Sequence, residues 1–270
     1  MVPTVDAYTP REIAHKIETL GVTKARSDML TLLVLALLAG AFIALGALFF
    51  TVVVTRPGLG FGVSRLVGGV AFSLGLMLVI IGGAELFTGN NLVAMAWASR
   101  RITSAELMRN WVLVYLGNAI GALGTVVLVL LGDVAQLGDG AVRETALAIG
   151  RHKAALGVIE ALVLGVLCNG LVCLAVWLAM GGRSVADKVL AIVFPITAFV
   201  TMGFEHSIAN LFFLPYALAL GGGGDAQLLM GSVRNLLLVT VGNILGGTVL
   251  VVGVYWLAYL RPGVEVIPPQ

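Results

Sequence analysis

Mapped as hydrophobic and polar positions, the chain is a succession of long apolar runs rather than an alternation. Residues 29–55, 111–132, 161–182 and 235–260 carry no charge at all. Each reaches or exceeds the roughly 20 residues that cross a bilayer as a helix. Two further runs, 66–99 and 189–224, are long enough but hold ionisable residues near their middles, Glu85 in the first and Glu205 with His206 in the second. Lone strands cannot satisfy their backbone groups in lipid, so all six runs are predicted to be helical. The expected fold is an all-α integral membrane protein with six transmembrane helices.

The two interrupted runs resemble each other. GAELFTGN at 83–90 and GFEHSIAN at 203–210 both read G-x-E-x-x-x-x-N. The run after each supplies a second match: Arg109-Asn110 followed by Gly117-Asn118-x-x-Gly121, against Arg234-Asn235 followed by Gly242-Asn243-x-x-Gly246. A weaker third match sets Leu45-Gly46-Ala47-Leu48 against Leu164-Gly165-Val166-Leu167. The chain therefore divides into an N-terminal arm (1–28), a first three-helix repeat (29–132), a connecting loop (133–154), a second repeat (155–260) and a C-terminal tail (261–270). Three crossings are odd, so the second copy enters the membrane from the opposite side. Inverted repeats of this kind place a substrate path where discontinuous helices of the two copies meet.

The polar insertions are then expected to break the second and fifth helices. Non-helical backbone at membrane depth survives only inside protein or facing water. Glycine lets the chain leave helical geometry, and Thr88, Asn90 and Asn210 can bond the freed backbone groups. Exposed helix-terminal N–H groups at each break favour an anion nearby. Pro195 is expected to kink the fifth helix ahead of its break. Glycines 117, 121, 242, 246 and 247 read as close helix contacts.

Composition agrees with the pattern: 59% of the 270 residues are hydrophobic and 11% charged, and mean hydropathy is +1.05. The first 28 residues are too long and polar for a signal peptide, and residues 10–20 suit a short amphipathic helix on the membrane surface. With six crossings both termini share one side. That side carries Arg11, Lys16, Lys24, Arg26, Arg100, Arg101, Arg109, Arg183, Lys188 and Arg261; the other carries Arg56, Arg65, Arg143, Arg151, Lys153 and Arg234. The bias favours cytoplasmic termini. A net charge of +2 gives no reason to expect a nucleic-acid partner.

His206 is the only histidine inside a run. Intramembrane ionisable groups are functional by default, and imidazole titrates near neutrality, so His206 is expected at a pore where it can exchange a proton with a weak acid. Glu85 and Glu205 read as structural carboxylates that accept bonds from N–H groups at the breaks. Lys153, next to His152, suits either a headgroup anchor or an attractive charge at a vestibule. Phe72 and Leu76 lie one turn apart on the run leading to the first break, where they can narrow a pore. Cys168 and Cys173 are i, i+5, a poor geometry for a disulfide or a metal pair; packing suffices for them. The glycine run 221–224 lacks the strand-and-helix context of a phosphate cradle, and no metal or cofactor is expected. A water channel would share the architecture but place Asn-Pro-Ala pairs at its breaks. An intramembrane enzyme would need a nucleophile elbow or zinc motif that is missing here.

At AELFTGNN, CNGLVCLAVW (168–177), GRSVADK (182–188), GFEHSIAN and GNILGG (242–247), in this order, the chain resembles the formate/nitrite transporter family of bacterial anion channels. The resemblance implies a homopentamer in the bacterial inner membrane, each protomer an aquaporin-like six-helix pore. It implies that His206 is the central histidine and Thr88 the hydroxyl of the first break. Phe72 and Phe199 would form one constriction, with Leu76 and Leu86 the cytoplasmic one. Lys153 would match a vestibule lysine, and Asn169 and Asn243 pore asparagines. The implied function is passage of small monovalent weak-acid anions with protons, formate first, nitrite or hydrosulfide as alternatives.

Overall fold

The computed structural model of the protein describes residues 7–221 and 223–262, which form helices and turns and contain no strand. Most of the C-terminal tail and one residue of the 221–224 glycine run lie outside the described residues.

Helix α1 (Pro10–Arg26) begins where Thr9 and Glu12 form a reciprocal capping box and Pro10 fills the first turn. Its buried stripe of Ile13, Ile17, Gly21 and Ala25 has the four-residue spacing of one helical face. It packs that face on the rest of the protein. Asp28 caps α2 (Met29–Val53), which is followed by α3 (Phe61–Gly82). A 3₁₀ turn (Gly89–Val93) leads into the short α4 (Ala94–Ala98), and α5 (Ser104–Leu131) starts at a Thr103–Glu106 capping box. Residues 133–154, expected as a loop, hold a 3₁₀ turn (Val134–Gln136) and most of α6 (Ala141–Ala155). With its apolar residues in only part of each turn, α6 lacks the long apolar run that marks the spans. Next come α7 (Val158–Gly181), α8 (Val185–Thr201), α9 (Ser207–Leu220), α10 (Ala226–Leu245), a π-helical stretch (Gly246–Gly253) and α11 (Val254–Tyr259).

Among the described residues, α2, α3, α5, α7 and the continuous run from α10 through α11 are long and apolar enough to cross a membrane. Helices α8 and α9, with 17 and 14 residues, fall short singly. They are separated by residues 202–206, and α3 is separated from the next 3₁₀ turn by residues 83–88. Both interruptions hold, within their first two residues, a glycine with left-handed backbone, Gly83 at φ 82° and Gly203 at φ 77°, a region that strains residues with a Cβ. Pro195 sits inside α8, which stays helical to Thr201; the chain leaves helical geometry at the glycine, not at the proline.

Helix α2 packs on α5 and α7 on α10, in both cases backbone to backbone. A Cβ at Gly121 would stand 2.0 Å from Leu37 O, and one at Gly246 would stand 2.1 Å from Val166 O. These contacts pair residue 37 with 166, ten residues away from the register of the Leu-Gly-x-Leu match. That third match is therefore corrected: leucine and glycine recur too often in apolar helices to fix a register. The π stretch was not foreseen either. It begins three residues after Asn243, whose carbonyl accepts from Asn169 Nδ2 at 2.7 Å, a side-chain bond at the place where the helix changes register.

Candidate functional site

The two interruptions are held by the same set of bonds. At the first, Glu85 N donates to Leu35 O at 3.1 Å, and at the second Glu205 N donates to Leu164 O at 3.2 Å. Asn118 on α5 accepts from Phe87 N and donates to Ala36 O and Glu85 O. Asn243 on α10 accepts from Ser207 N and donates to Gly165 O and Glu205 O. One amide thus replaces the missing helical partners of two backbone groups at each interruption and ties them to a carbonyl of the neighbouring helix, α2 or α7, and each freed group would be costly to bury alone.

Two expectations change here. Asn118 and Asn243, from the neighbouring helices, satisfy the freed backbone, where Thr88, Asn90 and Asn210 were expected to. And the carboxylates of Glu85 and Glu205 accept from side chains rather than from backbone N–H groups. Glu85 takes Lys24 Nζ at 3.0 Å and Asn90 Nδ2 at 2.7 Å. Glu205 takes Lys153 Nζ at 2.7 Å, Asn210 Nδ2 at 2.7 Å and Asn235 Nδ2 at 3.3 Å. The lysines are tethered in turn: Asn110 Nδ2 donates to Lys24 O, and Asn235 Nδ2 to Lys153 O. Lys24 escaped notice in the sequence because it was counted only among the charges setting orientation. A usable signal existed: Lys24-Ala25 and Lys153-Ala154 each stand five residues before an apolar helix.

Each ion pair borders a cavity. The α6-side cavity, about 310 Å³, is lined among others by Arg65, Phe72, Lys153, Phe199, Glu205 and His206. The α1-side cavity, about 60 Å³, is lined by Lys24, Leu76, Val79, Leu86, Asn90 and others. Phe72 and Leu76, one turn apart on α3, thus face different cavities, and the partition between them crosses α3 between the two. Phe72 and Phe199 meet edge to face with centroids 5.6 Å apart. Phe199 stacks on the His206 ring at 6.0 Å.

The partition contains a polar contact that only the fold creates. Thr88 Oγ1 lies 2.9 Å from His206 Nε2, and both residues are buried. His206 also caps α9, its Nδ1 accepting from Ala209 N at 3.0 Å. A backbone N–H can only donate, so the neutral ring carries its proton on Nε2 and offers it to Thr88. The Thr88 carbonyl is engaged by Asn169 Nδ2 at 3.3 Å and by Cys173 Sγ at 3.4 Å. Asn169 also bonds Asn91 Oδ1 and Asn243 O. Asn169 Nδ2 and both ends of the Asn243 amide are spent on the scaffold around Thr88 and His206, while Asn169 Oδ1 is buried without a hydrogen-bond partner; neither side chain lines the two cavities. Cys168 and Cys173 are buried and free.

Comparison with known proteins places this geometry in context. The sequence profile described as "Formate/nitrite transporter" matches residues 11–257. The formate channel FocA of Escherichia coli K12 is 40% identical over 95% of this chain and 96% of its own length. A solved structure described as a pentameric formate channel with formate bound is 40% identical, covers 86% of this chain and 98% of its own, and superposes with a TM-score of 0.79. A second, described as an FNT family ion channel, is 32% identical, covers 92% and 98%, and gives a TM-score of 0.82. The chain belongs to the formate/nitrite transporter family.

Proposed function

We propose that this protein is a formate channel of a bacterial cytoplasmic membrane, with both termini cytoplasmic, working as a homopentamer in which every protomer has its own pore. The identity to formate channels over nearly the whole chain supports the substrate, and the pentameric relative the assembly. Within the protomer, we read α3 with α4, and α8 with α9, as the broken second and fifth of six aquaporin-like helices. The recurrence of the same bonds at the two interruptions supports an inverted pair of three-helix repeats. Nitrite or hydrosulfide is the alternative cargo within the family.

One observation carries the mechanism: a buried Thr88–His206 hydrogen bond stands between two cavities, one of them bordered by Phe72 and Phe199 and the other by Leu76 and Leu86. A bare anion in such apolar surroundings loses hydration at a cost of several kcal/mol. Hydrogen bonds from His206 Nε2–H and the Thr88 hydroxyl offset part of that cost for the anion, and cargo that takes its proton from vestibule water crosses as the neutral acid. Lys153 borders the vestibule with its charge balanced by Glu205, and Lys24 with Glu85 does the same opposite. Glu85 and Glu205 hold lysines and loops in place and do not meet the anion.

Radiolabelled formate uptake by the purified protein in liposomes tests this. Protein-dependent, saturable uptake that nitrite or hydrosulfide displaces only weakly is expected. Permeability to glycerol or water without formate uptake would point to a neutral-solute channel.

A further inference from the structure

We infer that Arg65, and not Lys153, supplies the uncompensated positive charge that draws the anion into the α6-side cavity. The assignment rests on the anion-channel reading above and deepens it.

The charges lining this cavity can be summed. Lys153 and Glu205 are 2.7 Å apart with side chains only 13% and 4% exposed, so at the scale of the cavity they cancel. At the floor, the bond from Ala209 N to Nδ1 holds the His206 ring neutral. That leaves Arg65. Among the described residues it makes no ion pair. Its Nη2 donates to Val200 O and its Nε to Thr201 O at 3.2 Å, bonds to carbonyls that orient the guanidinium without neutralising it. Nη1 has no protein partner among the described residues and remains available to a carboxylate. A guanidinium keeps its charge at every working pH and is suited to planar oxyanions.

Position fits the same role. Arg65 is half-buried and stands seven residues before Phe72 on α3, about 10 Å along the helix. Both side chains line the cavity, so the charge lies towards its mouth and the aromatic constriction at its floor. A partly enclosed cationic funnel raises the local concentration of small anions. Carbonyl bonds to the end of α8 also make Arg65 a cap, so the test has to separate charge from capping.

Formate uptake kinetics in liposomes do so. Arg65→Gln is expected to raise KM about three- to tenfold, the scale of one partly screened charge near the anion, with little change in maximal rate. Arg65→Lys should stay within about twofold of the parent, since it keeps the charge. Arg65→Cys should recover a low KM when modified by a cationic alkylthiosulfonate and worsen with an anionic one, a sign dependence that a cap cannot produce. An unchanged KM in Arg65→Gln, or equal responses to the two reagents, overturns the assignment while leaving the channel intact. Should these variants not fold, modification of the unaltered protein by phenylglyoxal gives the answer. Formate should slow labelling of Arg65 and not of Arg56; equal rates with and without formate overturn it. Absence of formate uptake by the unaltered protein would remove the channel reading, and this role with it.

Discussion

Thr88 and His206 are 118 residues apart in the chain, yet the hydroxyl of one stands 2.9 Å from the Nε2 of the other. Because Ala209 N occupies Nδ1, Nε2 is the ring's one remaining polar atom, and it faces Thr88. Adding a proton at Nδ1 would break the cap on α9, so the ring is built to donate an Nε2–H hydrogen bond rather than to store a second proton. Thr88→Val removes the hydroxyl at nearly constant volume. It is expected to cut formate flux about a hundredfold, the lower range of a positioned proton donor. Thr88→Ser, which keeps the hydroxyl, should stay within about tenfold. Equal fluxes in Thr88→Val and the parent would remove Thr88 from the pathway.

The Lys153–Glu205 pair predicts a stability result. Removing one partner of a buried pair leaves the other charge bare, at a cost of about 3–5 kcal/mol. Lys153→Met should therefore lower the thermal midpoint of the detergent-purified protein markedly. Lys153→Met combined with Glu205→Gln should regain most of that loss, since no bare charge remains. A double variant as unstable as the single one would show that the pair's charges are not what couples these residues.

Asn243 is a single side chain serving three backbone groups. Asn243→Leu strands Ser207 N and Glu205 O, each a buried group costing about 1–3 kcal/mol when unpaired. The same holds for Asn118→Leu, which strands Phe87 N and Glu85 O. Both variants should lose thermal stability by similar amounts. Stability within about 0.5 kcal/mol of the parent, the range of an ordinary surface change, would contradict the scaffold role.

Helix contacts predict opposite outcomes for two glycines. Gly246→Ala places a Cβ 2.1 Å from Val166 O, and the overpacking should cost about 1–3 kcal/mol or more. Nothing lies within 4 Å of a Cβ at Gly124, so Gly124→Ala should be neutral or gain about 0.5–1 kcal/mol from backbone entropy. Thermal midpoints of the two variants side by side check the ordering.

Much of this was legible before any coordinates. Runs without charge located the long helices because lipid tolerates so little else, and the G-x-E-x-x-x-x-N signature located both interruptions. Arg109-Asn110 and Gly117-Asn118 were visible as repeats, but not what they bond, because hydrogen bonds between helices leave no local periodicity. Lys24 was hidden for the same reason: its partner Glu85 is 61 residues away. The pairing of Thr88 with His206 was not in the repeated motif, where the two fall at different places; only the family resemblance named both. Arg65 carried no signal at all in a helix that is otherwise apolar. Its importance depends on which neighbouring charges are already paired, and only the fold decides that.

The most direct measurement is formate uptake into liposomes by His206→Asn at a series of external pH values. With the ring present, uptake should rise as the external pH falls. With asparagine in its place, that pH dependence should flatten and proton movement should no longer accompany formate. Uptake by His206→Asn that matches the parent in rate and in pH dependence would contradict a proton-active route through Thr88 and His206.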